Sequence, residues 1–174
     1  MTTDTRAAVV DALSRALGPG DVTPAGQIDD RYLRDWVMAL SSGAPAALVR
    51  PRTTDDVSTV LRLCHERNIV VVPQGGRTGL VGGATPVDGA VVVSLERMTG
   101  IEDLDPAGST MTVRAGTPLQ TVQEAAQQAG LFFPLDLGAR GSCHIGGTVA
   151  TNAGGNRVIR YGMTRDLVLG LEVV

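Results

Sequence analysis

Ile69-Val70-Val71-Val72-Pro73-Gln74-Gly75-Gly76-Arg77-Thr78-Gly79-Leu80-Val81-Gly82-Gly83 runs from an apolar, β-branched segment straight into a glycine-rich loop. The apolar part, Ile69 to Pro73, predicts a strand covered on both faces. The loop predicts backbone brought close to a ligand. A diphosphate needs several N–H groups converging on it, side chains obstruct that approach, and glycine allows the positive φ values that aim successive amides together. Thr78 adds a hydroxyl, and Arg77 adds a cation unless its side chain turns to solvent. The order Gly-Gly-x-x-Gly is not the Gly-x-Gly-x-x-Gly dinucleotide fingerprint, and Ala84 to Gly89 reads as a turn rather than a helix. Phosphate capture here therefore rests on loop amides. Taken alone, the string also suits a structural turn between strands.

Upstream, Ala47 to Pro51 predicts a short buried strand, and Thr53-Thr54-Asp55-Asp56 supplies helix-capping residues. Val57, Val60, Leu61 and Cys64 then follow the i, i+3, i+4, i+7 pattern of a helix with one buried stripe, ending near Asn68. Strand, helix and strand make a βαβ unit. Farther upstream, Arg6 to Leu17 predicts a helix with Ala8, Leu13 and Leu17 toward one side, closed by Gly18-Pro19-Gly20. A polar stretch holding Tyr32 and Trp36 leads to Pro45, with Trp36 expected to anchor this segment against the domain.

Downstream, Ala90 to Ser94 predicts another strand, and Ile101 to Asp105 with Thr110 to Ala115 an antiparallel hairpin around Pro106-Ala107-Gly108. Thr117-Pro118 is expected to open a helix as N-cap and N1, with Leu119, Val122, Ala125, Ala126 and Ala129 on its apolar side and Gly130 as its stop. Leu167 to Val174 reads as a terminal strand, from which the expectation follows that the natural polypeptide continues.

Of the 174 residues 43% are hydrophobic and 19% charged, with a net charge of −3, which is ordinary for a globular protein. No apolar run reaches the length of a membrane span and the amino terminus lacks a signal-peptide core, so a cytoplasmic protein is expected. All 15 basic residues are arginine, which excludes a Schiff-base lysine and a Gly-Lys-Ser/Thr P-loop. The slightly acidic balance argues against nucleic-acid binding. Two cysteines, Cys64 and Cys143, and two histidines, His65 and His144, predict neither a disulfide framework nor a zinc site. Of 22 glycines, 11 fall in two windows, Gly75 to Gly83 and Gly138 to Gly155.

The second window, Phe133 to Gly155, mixes small residues with Ser142, Thr148, Thr151 and Asn152, which offer hydrogen bonds without volume. A large planar ligand with a polyol chain fits against such a wall. Alone, the window is equally a helix start with crowded backbone around Gly146-Gly147 and Gly154-Gly155.

Pro-Gln-Gly-Gly-Arg-Thr-Gly-Leu-Val-Gly-Gly at 73–83, Pro-Leu-Asp-Leu-Gly-Ala-Arg-Gly-Ser-Cys-His-Ile-Gly-Gly at 134–147, Ala-Thr-Asn-Ala-Gly-Gly at 150–155, Arg-Tyr-Gly at 160–162 and Leu-Gly-Leu-Glu-Val-Val at 169–174 carry a family resemblance. From about Trp36 onward the chain resembles the FAD-binding domain of vanillyl-alcohol oxidase-type flavoproteins. Its branch contains D-2-hydroxyglutarate dehydrogenases, D-lactate dehydrogenases and the glycolate oxidase flavin subunit. The resemblance implies an α+β, PCMH-type FAD-binding domain of two α/β subdomains with FAD between them, truncated at its C-terminus. Residues 1–44 would be an N-terminal helical segment and 45–174 the incomplete FAD-binding domain.

By carry-over, Gly75, Gly76, Arg77, Thr78, Gly79, Gly82 and Gly83 hold the FAD pyrophosphate. Pro134, Gly138, Gly141, Ser142, Ile145, Gly146, Gly147, Ala150, Thr151, Asn152 and Gly154 lie along the isoalloxazine, ribityl chain and diphosphate. Several relatives attach flavin through a histidine where Arg77 stands here, so noncovalent FAD is implied; many close relatives carry Asn there. The implied reaction is oxidation of a D-2-hydroxy acid, of the D-2-hydroxyglutarate or D-lactate type, to a 2-oxo acid by hydride transfer to flavin N5. The electron acceptor would be a quinone, an electron-transfer flavoprotein or a cytochrome. In this family the catalytic base, the carboxylate-binding arginine and, in several members, a divalent metal come mainly from a later substrate domain, so no catalytic residue or metal ligand is assigned here.

His144 is read as a histidine satisfied within a tight loop rather than an acid–base catalyst. Cys143 and Cys64 are read as packing residues, Tyr161 as a packing residue rather than one that approaches the flavin or fixes the chain after it, and Asp136 as a turn cap. The alternative function is a noncatalytic flavin- or nucleotide-binding module.

Overall fold

The computed structural model describes residues 3–18, 20–34, 36 and 43–174. The chain divides into two compact units, residues 1–97 together with Val174, and residues 98–173. Among the described residues no helix is long and apolar enough to cross a membrane.

The first unit is built from α1 (Thr3–Leu17), β1 (Val22–Pro24), β2 (Ala47–Val49), α2 (Thr54–His65), β3 (Val71–Gln74) and β4 (Val91–Ser94). Its sheet has the order β1-β2-β4-β3, with β1 antiparallel to β2 and the other three strands parallel. The expected βαβ unit is present, but β4 separates its two strands. On one sheet face Ala47, Val49, Val91 and Val93 pack with Val9 and Leu13 of α1 and Val60 and Cys64 of α2. On the other, Leu48 and Val92 pack with Tyr32. All four residues of β4 are buried.

The strand covered on both faces is therefore β4, and the expectation for Ile69 to Pro73 is corrected. β3 is an edge strand on which burial alternates, with Val72 and Gln74 buried and Pro73 exposed. Proline suits an edge because it has no N–H to donate to a further strand. The buried side of α1 runs through Val9 and Leu13, while Ala8 is exposed. Residues 1–44, expected to be helical, also contribute β1, whose Val22, Thr23 and Pro24 pair with Val49, Leu48 and Ala47. Trp36 does not anchor that segment: it is 69% exposed.

The second unit holds the antiparallel hairpin β5 (Ile101–Asp105) and β6 (Thr110–Val113), then α3 (Leu119–Gln128), α4 (Ile145–Ala150) and α5 (Val158–Tyr161). Leu119, Leu135 and Cys143 form its buried cluster. Gly130 stops α3 at φ 72, as its sequence implies. Thr117 does not cap α3, whose N-cap is Pro118. Its hydroxyl instead accepts from Gly100 N at 2.9 Å and donates to Gly100 O at 3.0 Å, fastening the hairpin's start to the helix entry. Leu167 to Val174 forms no strand, and Leu169, Leu171 and Val173 are exposed. A strand needs a neighbour's N–H and C=O groups, and neither described sheet pairs with this segment.

Candidate functional site

The first glycine loop leaves the sheet where β3 ends, at the C-terminal edge of three parallel strands. That edge is where open α/β sheets bind ligands. Gln74 is 1% exposed, and its Nε2 donates to Ala84 O at 2.7 Å and to Tyr32 O at 2.8 Å. One side chain thus joins the two ends of the loop. Between them no helix forms, and among the described residues the amides of residues 76–83 donate to no main-chain carbonyl. Among the described residues, the N–H groups that an anion would need have no main-chain acceptor.

Glycine serves several purposes here. Gly82 takes φ 76, a conformation that L side chains avoid. Gly79 and Gly83 have no such need, and a Cβ at either would meet nothing within 4 Å. Neither backbone strain nor packing accounts for glycine at those two positions. The Arg77 guanidinium lies over the Tyr32 ring, with Cζ 4.9 Å from its centroid and Nη1 buried without a hydrogen-bond partner among the described residues. The residue itself adopts φ 55.

The second window is fixed by hydrogen bonds within itself and to the segments around it. Ser142 N and Cys143 N donate to Ala139 O, Ile145 N to Thr117 O and Gly146 N to Ala115 O. Thr148 Oγ1 donates to Ile145 O and Thr151 Oγ1 to Gly147 O, both at 2.9 Å. Asn152, at φ 47, accepts Arg165 N through Oδ1. Among the side chains of the expected contacts, the Ser142 hydroxyl is exposed and the Asn152 side-chain amide N–H groups donate to no other described residue. Pro134, Ile145 and Gly154 are partly buried, and Ala150 is exposed at the end of α4.

Its glycines divide as well. A Cβ at Gly146 would lie 2.8 Å from Ala115 Cβ, and one at Gly155 would collide with the Asp136 carbonyl oxygen, so close packing requires both. At Gly154 it would meet Met163 Sδ at 3.0 Å, and at Gly141 the Gln120 side chain at 3.2 Å. Gly138 and Gly147 face open space. Crowded backbone and open space are thus both present, at different residues.

The Asp136 carboxylate caps no turn among the described residues; its partners are side chains. With 12% of its side chain exposed, it accepts from Arg140 at 3.3 Å and Asn156 at 3.4 Å and pairs with Arg157 at 3.3 Å. Desolvation pushes its pKa up, but the Arg140 hydrogen bond, Arg157 and Asn156 outweigh it and hold the carboxyl below its ordinary value. The loop from 136 to 140 is thereby tied to the segment beginning at Gly155. His144 precedes α4, its carbonyl accepting Thr148 N. Cys143 is a buried packing residue whose thiol pKa is raised by burial. Tyr161 lies at the surface, its ring 5.6 Å from that of Phe132.

Sequence reading passed over Gln74 and Tyr32, which shape the first loop. Gln74 carried a usable signal, because it ends a strand of a parallel sheet. Tyr32 carried none, since its place under the loop arises only on folding.

The uncommitted amides and open glycines suit a large cofactor bearing a diphosphate. Over residues 45–174 the chain matches the family model described as FAD binding domain. It is 49% identical over 140 residues to the mitochondrial D-2-hydroxyglutarate dehydrogenase of Bos taurus, covering 80% of this chain and 26% of that protein. To the D-2-hydroxyglutarate dehydrogenase of Xanthomonas citri pv. viticola it is 48% identical, covering 83% of this chain and 30% of that one. The chain thus spans about 26–30% of the length of these relatives. Among solved structures, an alkyldihydroxyacetonephosphate synthase aligns with a TM-score of 0.83 at 20% identity, over 93% of this chain and 32% of that one. A p-cresol methylhydroxylase aligns with a TM-score of 0.73 at 24% identity, over 88% and 30%. These likenesses establish the fold.

Proposed function

The chain belongs to the FAD binding domain family, and from that membership we propose that it is the FAD-binding portion of an oxidoreductase that converts a D-2-hydroxy acid to the 2-oxo acid. D-2-hydroxyglutarate leads as substrate, on the strength of the relatives at 48–49% identity. D-lactate is the second. Bound FAD supplies the two-electron acceptor for the substrate's α-carbon.

This chain's own part is to hold and orient the cofactor. The amides of residues 76–83 receive the diphosphate, with Gly79 and Gly83 admitting it closely. Gly138 and Gly147 leave room for the flavin, and Ser142 and Asn152 provide polar contacts along it. Attachment is noncovalent: position 77 is arginine, which has no nucleophilic nitrogen at neutral pH. The 2-hydroxy acid and the electron acceptor, a quinone or an electron-transfer flavoprotein, are partners of the whole enzyme.

The observation that carries the reading is the run of uncommitted amides flanked by glycines that packing does not require. Its test is flavin retention. The purified chain is mixed with FAD and passed through gel filtration, and flavin absorbance and fluorescence are measured in the protein peak, with Gly79→Leu as control. Because nothing lies within 4 Å of a Cβ at Gly79, the variant is expected to keep its fold while its side chain fills the space a ligand needs. Flavin retained by the parent chain and lost from the variant, and released on denaturation, is the expected result. Equal retention by both sinks the loop assignment, and no retention by either sinks the cofactor reading.

A further inference from the structure

Tyr32 belongs by sequence to the polar stretch before β2, yet it is 2% exposed and packs on the sheet face that carries Leu48 and Val92. Its hydroxyl donates to Glu96 Oε1 at 2.6 Å and accepts Arg31 Nη2 at 2.5 Å. Arg50 Nη1 approaches the same Glu96 oxygen at 3.8 Å. Ring and hydroxyl are therefore fixed by contacts outside the glycine loop. Onto this ring is laid the Arg77 guanidinium, which makes no hydrogen bond or ion pair with another described residue. The ring contact is what holds the side chain of a residue whose backbone stands at φ 55. Non-glycine residues stay in that region only where their surroundings fix them. The Tyr32 carbonyl has a separate role, accepting Gln74 Nε2 while the same nitrogen bridges to Ala84 O.

We propose that Tyr32 is a positioning residue for the cofactor's diphosphate: its ring locks Arg77, and its carbonyl, through Gln74, closes the two ends of the loop, so that the amides between them converge before ligand arrives. This inference rests on the loop reading above. Tyr32 touches no cofactor atom. It acts through Arg77 and Gln74, and the loop therefore meets its ligand already shaped.

The test is a double-mutant cycle on FAD affinity, read by fluorescence titration of the parent chain, Tyr32→Leu, Arg77→Ala and the pair together. Each single change is expected to weaken FAD about tenfold, and the pair no more than about twofold beyond either single, because both remove one coupled contact. Tyr32→Phe keeps the ring and the carbonyl and is expected to restore affinity to within about threefold of the parent. A merely structural role for Tyr32 lowers the thermal midpoint of the unliganded chain but leaves the losses additive. Additive losses, or Arg77→Ala binding as the parent does, overturn the proposal while leaving the loop reading intact. A parent chain that binds no FAD overturns both. If Tyr32→Leu does not fold, Tyr32→Phe and Arg77→Ala carry the comparison, and equal affinity of the two overturns the proposal.

Discussion

The glycines are separable one by one by what a methyl group would meet. Gly146→Ala and Gly155→Ala press a Cβ against Ala115 or the Asp136 carbonyl. Each is expected to cost about 1–3 kcal/mol in urea unfolding, the range for overpacking. Gly147→Ala places its methyl in open space within α4 and is expected to stabilise by about 0.5–1 kcal/mol, while weakening flavin binding if that space belongs to the ligand. The two thiols make a second case at this scale. Burial raises Cys64 to about 11, and burial also raises Cys143. Both are expected to stay unreactive toward Ellman's reagent at pH 8 until denaturant is added, because the thiolate is the reactive form. Asp136 gives a pH signature. Its folded-state pKa lies below the ordinary 3.8, so its partners contribute stability above that value and lose it as pH falls through the folded pKa. Asp136→Asn is therefore expected to be less stable than the parent at pH 7, with the gap narrowing below about pH 4 in parallel unfolding curves.

Elements whose signals lie within a few residues are legible in the sequence, and α2 is the clearest of them. Thr53 accepts Asp56 N at 3.1 Å, and the Asp56 carboxylate accepts Thr53 N at 3.1 Å, so the capping box written as Thr-x-x-Asp is formed. Thr53→Ala is expected to cost about 1 kcal/mol in chemical denaturation. The hairpin around Pro106-Ala107-Gly108 and the Gly130 stop were legible for the same reason. Strand order was not. Whether Ile69 to Pro73 is central or at an edge depends on β4 entering between β2 and β3, a pairing no local pattern encodes. Thr117 misled in a related way: its hydroxyl had two possible partners, the helix start beside it and Gly100 seventeen residues away, and folding brought the distant one within reach. Leu167 to Val174 had the composition of a strand, but strand structure also requires a partner.

At the scale of the whole molecule, the candidate site was legible where it is made of backbone and hidden where it is made of side chains from distant segments. Glycine spacing announces the loop whose amides stay uncommitted and the positions where a Cβ would meet open space. Nothing local announces that Tyr32 underlies Arg77 or that Asp136 gathers Arg140, Asn156 and Arg157. The global consequence of a filled site is a change in stability, because a ligand that binds the folded chain and not the unfolded one stabilises it by mass action. At a free FAD concentration one hundred times Kd the gain is about 2.7 kcal/mol. For a chain of 174 residues that corresponds to a rise of about 5–11 °C in the unfolding midpoint. Differential scanning fluorimetry with increasing FAD is expected to show this rise in the parent chain and none in Gly79→Leu. Riboflavin, which lacks the diphosphate and the adenosine, is expected to give a smaller shift at equal concentration, because it leaves the amides of residues 76–83 without their anion. A midpoint indifferent to FAD would contradict the cofactor assignment, whereas equal shifts with FAD and riboflavin would place the binding in the second glycine window and remove the first loop from it.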